Sequence, residues 1–190
     1  MSSFINGLRS GALSITTSLL GEASANLIGK KVDVGGFVHK WTPTCVSNIF
    51  RDTGNVLRPN LGWVIQKVES ITGEDFANVV FAPAFEELVY RVGGETLVTA
   101  ILTTGLSSMG VPPPYAATLA KLGSIHITGY LFTMSHGPVQ TDRGSRQYTR
   151  AVSRGIAYEL SPTVGSGYLN TAIPHILYNA AIALRSKGYI

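Results

Sequence analysis

Apolar residues recur along this chain at the spacing of helices, and no long segment alternates between apolar and polar positions. Recurrence every three or four residues places apolar side chains on one helix face, whereas strict alternation would indicate a strand. The pattern predicts an amphipathic helix over 3–29, an irregular and more polar stretch over 30–62, and a short helix over 61–72 that ends near Gly73. Residues 1–75 are therefore predicted to be an amphipathic helix and an irregular region.

Residues 76–190 are predicted to form the helical core of a single domain. Gly and Pro punctuate this part of the chain and set the expected helix ends. The first four expected helices are 76–91, 95–109, 115–136 and 147–159, with a break at Gly93-Gly94 after the first. A last helix follows a turn at 165–167, has Pro174 near its start and ends near Leu184. The fold class is all-α, a multi-helix bundle.

Three long windows contain no Asp, Glu, Lys or Arg, namely 96–120, 122–141 and 160–184. Each is long enough to span a hydrocarbon layer of about 30 Å as a helix. Gly, Ser, Thr, Pro and His dilute all three, as is usual in membrane helices that pack around a polar interior. The windows favour a membrane-embedded bundle, multi-pass or membrane-associated, with lipid as a partner. A soluble all-α protein with buried helices is the alternative.

Charge changes this picture little. Only 14% of residues are charged, against about 25% in an average globular protein. Basic residues concentrate in one segment as Arg143, Arg146, Arg150 and Arg154. This segment is interpreted as a solvated positive loop or as a cytoplasmic connection under the positive-inside rule. Aromatic residues are not interleaved with it as in a stacking surface, so no nucleic-acid partner is predicted.

Targeting and cysteine signals are weak. The N-terminal segment has one basic residue, Arg9, and no compact apolar core that ends in small residues. No cleavable signal peptide is therefore expected. The single Cys45 excludes an intrachain disulfide and a cysteine metal cluster.

Three pairs of residues at i,i+4 spacing bring polar side chains into the apolar helices. The pairs are Glu87/Arg91, Phe132/His136 and His175/Asn179. Residues four apart share one helix face. Polar groups in apolar helices usually meet each other or a substrate. We therefore predict that polar residues of three helices converge on one buried site.

Glu86 and Glu87 point about 100° apart on a helix, so they do not share a face. Glu87 can pair with Arg91, which leaves Glu86 free to face another helix. His136 could meet Glu86 across a helix interface, and the two could deprotonate and orient a water, directly or through a cation. His175 and Asn179 can both donate hydrogen bonds to an oxyanion. Together these roles describe a peptide hydrolase.

Each pattern alone has a plain structural explanation. A Glu87/Arg91 pair on a solvated helix is worth only a few tenths of a kcal/mol, and a single core histidine is more often structural than catalytic. The hypothesis depends on the three patterns occurring together, in apolar sequence.

The segments Ala84 to Arg91 (AFEELVYR), Phe132 to His136 (FTMSH) and His175 to Asn179 (HILYN) resemble the motifs of the CPBP family of intramembrane proteases, also called the CAAX-protease or Abi family. The resemblance covers 76–184 by motif. It implies a helical membrane fold and endoproteolysis of a protein or peptide substrate. Some family members cleave C-terminal tripeptides from prenylated proteins.

The resemblance also implies roles for individual residues. Glu86 and His136 would activate the water, His175 and Asn179 would stabilise the oxyanion, and the supporting residues would be Glu87, Arg91 and Phe132. Family members have been described both as metal-dependent and as glutamate-type proteases. Glu, His and His can serve as zinc ligands or as direct catalysts, so Glu86, His136 and His175 are the candidate zinc ligands.

Two rival hypotheses belong to other classes. One is a non-catalytic helical membrane scaffold or partner-binding protein that retains the polar cluster. The other is a soluble helical binding protein in which the patterns arise by chance. The chain departs from the family in the short and rather polar 1–75, which fits a reduced or diverged member.

Overall fold

The computed structural model describes residue 16, residues 19–21 and residues 23–190, and these described residues form seven helices and no strand. The prediction of an all-α bundle is confirmed. Helix α1 is described over 23–31, so the helix predicted over 3–29 lies mostly outside the described residues.

The other helices have well-defined bounds. They are α2 (Val34–Trp41), α3 (Thr44–Thr72), α5 (Pro113–His136), α6 (Asp142–Glu159) and α7 (Val164–Ser186). Helix α4 is a continuous succession of α and π segments: Glu74–Phe76 (α), Ala77–Phe81 (π), Ala82–Glu87 (α), Leu88–Glu95 (π) and Thr96–Ser108 (α).

The prediction of an irregular stretch over 30–62 is wrong, because α2 and α3 cover most of it. Its glycines lie within these helices, where Gly35 allows close packing. The Gly35 N–H donates to Ser145 Oγ at 3.1 Å, and a methyl group on Gly35 would collide with the backbone at Val139. The predicted helix end near Gly73 agrees with the structure, where Gly73 has φ 89°, a conformation that favours glycine.

The prediction of a helix break at Gly93-Gly94 is also wrong, because Leu88–Glu95 continues the helix in wider π turns. These turns keep Glu95 beside Arg91 inside the core. Short π segments inside α-helices occur frequently at functional sites. The segment Ala77–Phe81 is the other π stretch of α4, and it ends two residues before Pro83.

The bounds of α6 and α7 differ from their predictions. Helix α6 begins at Asp142, capped by Thr141, rather than at residue 147. Helix α7 begins at Val164 with a capping box between Thr163 and Ser166. The expected turn at 165–167 is therefore the first turn of α7, and Pro174 is a buried interior residue.

Helix α5 lies at the centre of the bundle and packs against α3, α4 and α6, while α7 packs against α4 and α6. One apolar cluster joins Tyr90, Phe132 and Ala151, and a second joins Tyr130, Val139 and Tyr148. Both clusters contain residues of α5, as does the site described below. In the described part of the chain, no helix combines the length and the apolar composition needed to cross a membrane.

Candidate active site

Arg91 is fully buried and has four acceptors. Its Nε donates to Glu87 Oε2 at 3.2 Å, and its Nη1 donates to Glu95 Oε2 at 2.9 Å. Nη1 also donates to Thr128 Oγ1 at 3.1 Å, and Nη2 donates to the Ala151 carbonyl at 2.6 Å. This one guanidinium therefore ties α4 to α5 and α6.

Glu87 connects this network to the last helix, α7. Arg154 Nε of α6 lies 2.8 Å from Glu87 Oε1, and His175 Nδ1 of α7 lies 2.9 Å from the same oxygen. Burial alone would raise the pKa of Glu87, but Arg154, the hydrogen bond from His175 and Arg91 outweigh the burial and hold that pKa well below its usual range. Glu87 is therefore an anion that orients the His175 ring.

Glu86 is directed toward the two histidines. Its Oε1 lies 3.2 Å from His136 Nε2, and its Oε2 lies 3.9 Å from His175 Nε2. Burial favours the neutral His136 ring, but the hydrogen bond and charge of Glu86 outweigh this effect and raise the pKa of His136. Nε2 of His136 on α5 and Nε2 of His175 on α7 thus both face the Glu86 carboxylate.

The far side of each histidine ring meets an acceptor. His136 Nδ1 lies 2.8 Å from the Phe132 carbonyl, which can only accept, so Nδ1 carries a hydrogen. By the same reasoning, His175 Nδ1 donates to the Glu87 carboxylate. Both rings thus present Nε2 to Glu86. The Phe132 ring supports this arrangement, with its centroid 4.5 Å from the centroid of His136.

A pocket of about 380 Å³ lies over these groups. Glu86, His136, His175 and Asn179 all line it, together with Phe132. The partly buried Asn179 side chain is already engaged, since its Nδ2 donates to the Asn78 carbonyl at 3.3 Å. The structure thus places the four predicted catalytic residues in one pocket, while Glu87 and Arg91 lie beneath it, buried.

The donor set suits zinc in its chemistry. Histidines that bind metal usually give their other nitrogen to a carboxylate or a carbonyl, as His175 and His136 do with Glu87 and Phe132. The described residues nevertheless contain no group of three His, Cys, Asp or Glu side chains already arranged as ion ligands. Zinc at Glu86, His136 and His175 therefore stays a prediction.

The sequence interpretation of the α6 arginines as a solvated loop is wrong. They lie on a helix and line the same pocket: Arg143, Arg146, Arg150 and Arg154. Their spacing of three, four and four residues was a signal for one helix face. Glu95 was also missed, although it follows Arg91 by four residues, because the two glycines between them suggested a helix break.

Comparison with models of known protein families, with curated proteins and with solved structures finds no match for this chain.

Proposed function

We propose that this protein is an endopeptidase of the CPBP type, in which Glu86 and His136 activate a water that attacks a peptide carbonyl. The observation that carries the proposal is the position of the Glu86 carboxylate, 3.2 Å from His136 Nε2 and 3.9 Å from His175 Nε2 at the wall of a pocket. The motif resemblance supports the same reaction.

In the direct mechanism, Glu86 accepts a proton from the attacking water as a general base, and His136 holds that water through Nε2. His175, when protonated on both nitrogens, and Asn179 Nδ2 donate to the oxyanion. Glu87 holds the His175 ring through Nδ1 and keeps Nε2 in the pocket. The proton held by Glu86 then passes to the leaving amine.

The metal-dependent mechanism uses the same residues. Zinc, held by Glu86, His136 and His175, would supply Lewis-acid activation of the attacking water. Glu87 and the Phe132 carbonyl would then orient the two histidines from behind.

We also propose that the protein works in association with a membrane. Large apolar side chains recur every seven residues on helix α3 and are exposed, namely Ile49, Val56 and Trp63. Another exposed apolar pair is Phe37 and Trp41 on α2. Exposed apolar surface of this extent is typical of proteins that bind membranes or partners.

Cleavage of a proteome-derived peptide library by the purified protein tests the proposal. Peptide termini that appear with the wild type should be absent with Glu86→Gln and with His136→Ala. The control is Glu74→Gln, which removes a charge from an exposed glutamate at the start of α4. Far-ultraviolet circular dichroism and thermal unfolding establish that each variant is folded.

The non-catalytic scaffold gives a different outcome. If the wild type and a folded Glu86→Gln variant yield the same termini, the polar cluster serves folding or partner binding, and the peptidase proposal fails.

A further inference from the structure

The arginine row, defined as Arg143, Arg146, Arg150 and Arg154, follows one face of α6 and lines the pocket that holds Glu86. Arg154 lies innermost, beside Glu87 at 2.8 Å. Arg150 lies with its guanidinium carbon 4.2 Å from the centroid of the Tyr178 ring. The row therefore runs from the buried network outward along the pocket wall.

The two outer arginines carry the excess charge. Arg143 is exposed and Arg146 is half-buried. Among the described residues, neither has an ion pair with an acidic side chain. Glu86 is the acidic residue that lines this pocket, and it lies against His136. The outer part of the pocket is thus positively charged.

We propose that Arg143 and Arg146 bind a carboxylate of an acidic peptide in this pocket. A carboxylate of the peptide would accept charge-assisted hydrogen bonds from these two guanidinium groups, which have no acidic partner among the described residues. The carboxylate comes from a Glu or Asp side chain or from a free C-terminus. This inference rests on the proposed function, since it names the substrate class of that site.

Binding of matched peptides tests the inference without cleavage. Four fluorescein-labelled decapeptides share one apolar sequence and differ at two positions and at the C-terminus. The two positions are both Glu or both Gln, and each of these sequences is made once with a C-terminal acid and once with a C-terminal amide. Fluorescence anisotropy measures their binding to protein that carries Glu86→Gln, so a failure of the hydrolysis proposal does not affect the readout. The charge variant adds Arg143→Gln and Arg146→Gln, and the control adds Lys67→Gln and Arg185→Gln, which are exposed cations outside the pocket.

The acidic peptides should bind about tenfold more tightly than the neutral amide, as expected for a charge-assisted hydrogen bond. The charge variant should lose that preference, and the control should keep it. A Glu-dependent preference identifies side-chain carboxylates, and an acid-over-amide preference identifies the C-terminus. Equal binding of all four peptides overturns the inference. The inference is also overturned if vesicles that contain phosphatidylserine bind the protein through Arg143 and Arg146 and the peptides do not.

Discussion

Glu86 and Glu87 are sequence neighbours that reach the same histidine from opposite sides of its ring. Glu87 Oε1 lies 2.9 Å from Nδ1 of His175, and Glu86 Oε2 lies 3.9 Å from its Nε2. Glu87 is only 1% exposed, whereas the Glu86 side chain is 13% exposed and lines the pocket. One carboxylate therefore holds the site together, and the other is available for chemistry.

Replacement of Arg91 with Ala should destabilise the protein strongly. The change leaves Glu95 without its cation and removes one of the two guanidinium groups that neutralise Glu87. Breaking a buried ion pair by removing one partner costs about 3–5 kcal/mol. Chemical denaturation followed by circular dichroism measures the loss.

The matched control for Arg91→Ala is Arg51→Ala, which breaks an exposed pair with Asp52. That change should cost about 0–1 kcal/mol. Similar losses in the two variants would contradict the structural role of the Arg91 network.

Glu95 should make stability depend on pH near neutrality. Burial raises the pKa of Glu95 from 4.5 to about 7, although Arg91 opposes this shift. Because the folded state holds the proton more tightly, the contribution of Glu95 to stability is fully present below pH 4.5 and is lost as the pH rises through about 7. Glu95→Gln should remove this component from unfolding free energies measured between pH 4 and about pH 8.

The exposed Glu74→Gln variant should leave the same pH dependence in place. A pH dependence through this window that is identical in wild type and Glu95→Gln would show that Glu95 does not titrate there.

Gly155→Ala should destabilise the junction of α6 with the buried network. A methyl group there would lie 3.0 Å from Ile125 Cγ2, 3.1 Å from Arg91 Nη1 and 3.3 Å from Glu95 Oε2. Overpacking of this kind typically costs about 1–3 kcal/mol. Thermal and chemical unfolding of the purified variant measure the loss.

Gly62→Ala is the control for this substitution. Gly62 lies in α3 with nothing within 4 Å of the added methyl group, so the change should be neutral or stabilise the helix by up to about 1 kcal/mol. Equal effects at the two glycines would argue against the close approach of α6 to Arg91.

The exposed apolar residues of α3 should mediate membrane association. Replacing Ile49, Val56 and Trp63 with Ser removes three exposed apolar side chains from one face. We expect the wild type to float with phosphatidylcholine vesicles in a sucrose gradient and the triple variant to float several-fold less. Leu160→Ser with Met109→Ser, which changes exposed loop residues, should float like the wild type. Flotation of the triple variant at the wild-type level would contradict this role.

The sequence predicted the residues of the pocket better than the helices that surround it. Helical spacing identified His136 and His175, and Glu86 was identified as the carboxylate that the Glu87/Arg91 pair leaves free. The structure brings these three residues together. Local rules treat Gly and Pro as helix breakers, so the helical structure over 34–60 and the continuation past Gly93-Gly94 were missed. Those positions are helical because of packing between distant segments, such as Gly35 against α6.

The partners of Glu87 could be predicted only in part. Arg91 follows it by one turn and was found, whereas Arg154 lies 67 positions later and was assigned to a solvated segment. An arginine in a charged amphipathic helix looks solvated until the tertiary fold shows which face is covered. Arg154 is 4% exposed.

The most direct test of the central claim is the rate of peptide-bond cleavage by the wild type, by Glu86→Gln, by His136→Ala and by the double variant, on one peptide identified from the library. Residues that act as a unit on one water show non-additive losses. We predict that each single variant loses at least about 10²-fold in rate, the scale of general acid–base catalysis, and that the double variant is no slower than the slower single variant. Wild-type cleavage by a folded Glu86→Gln variant would contradict the account.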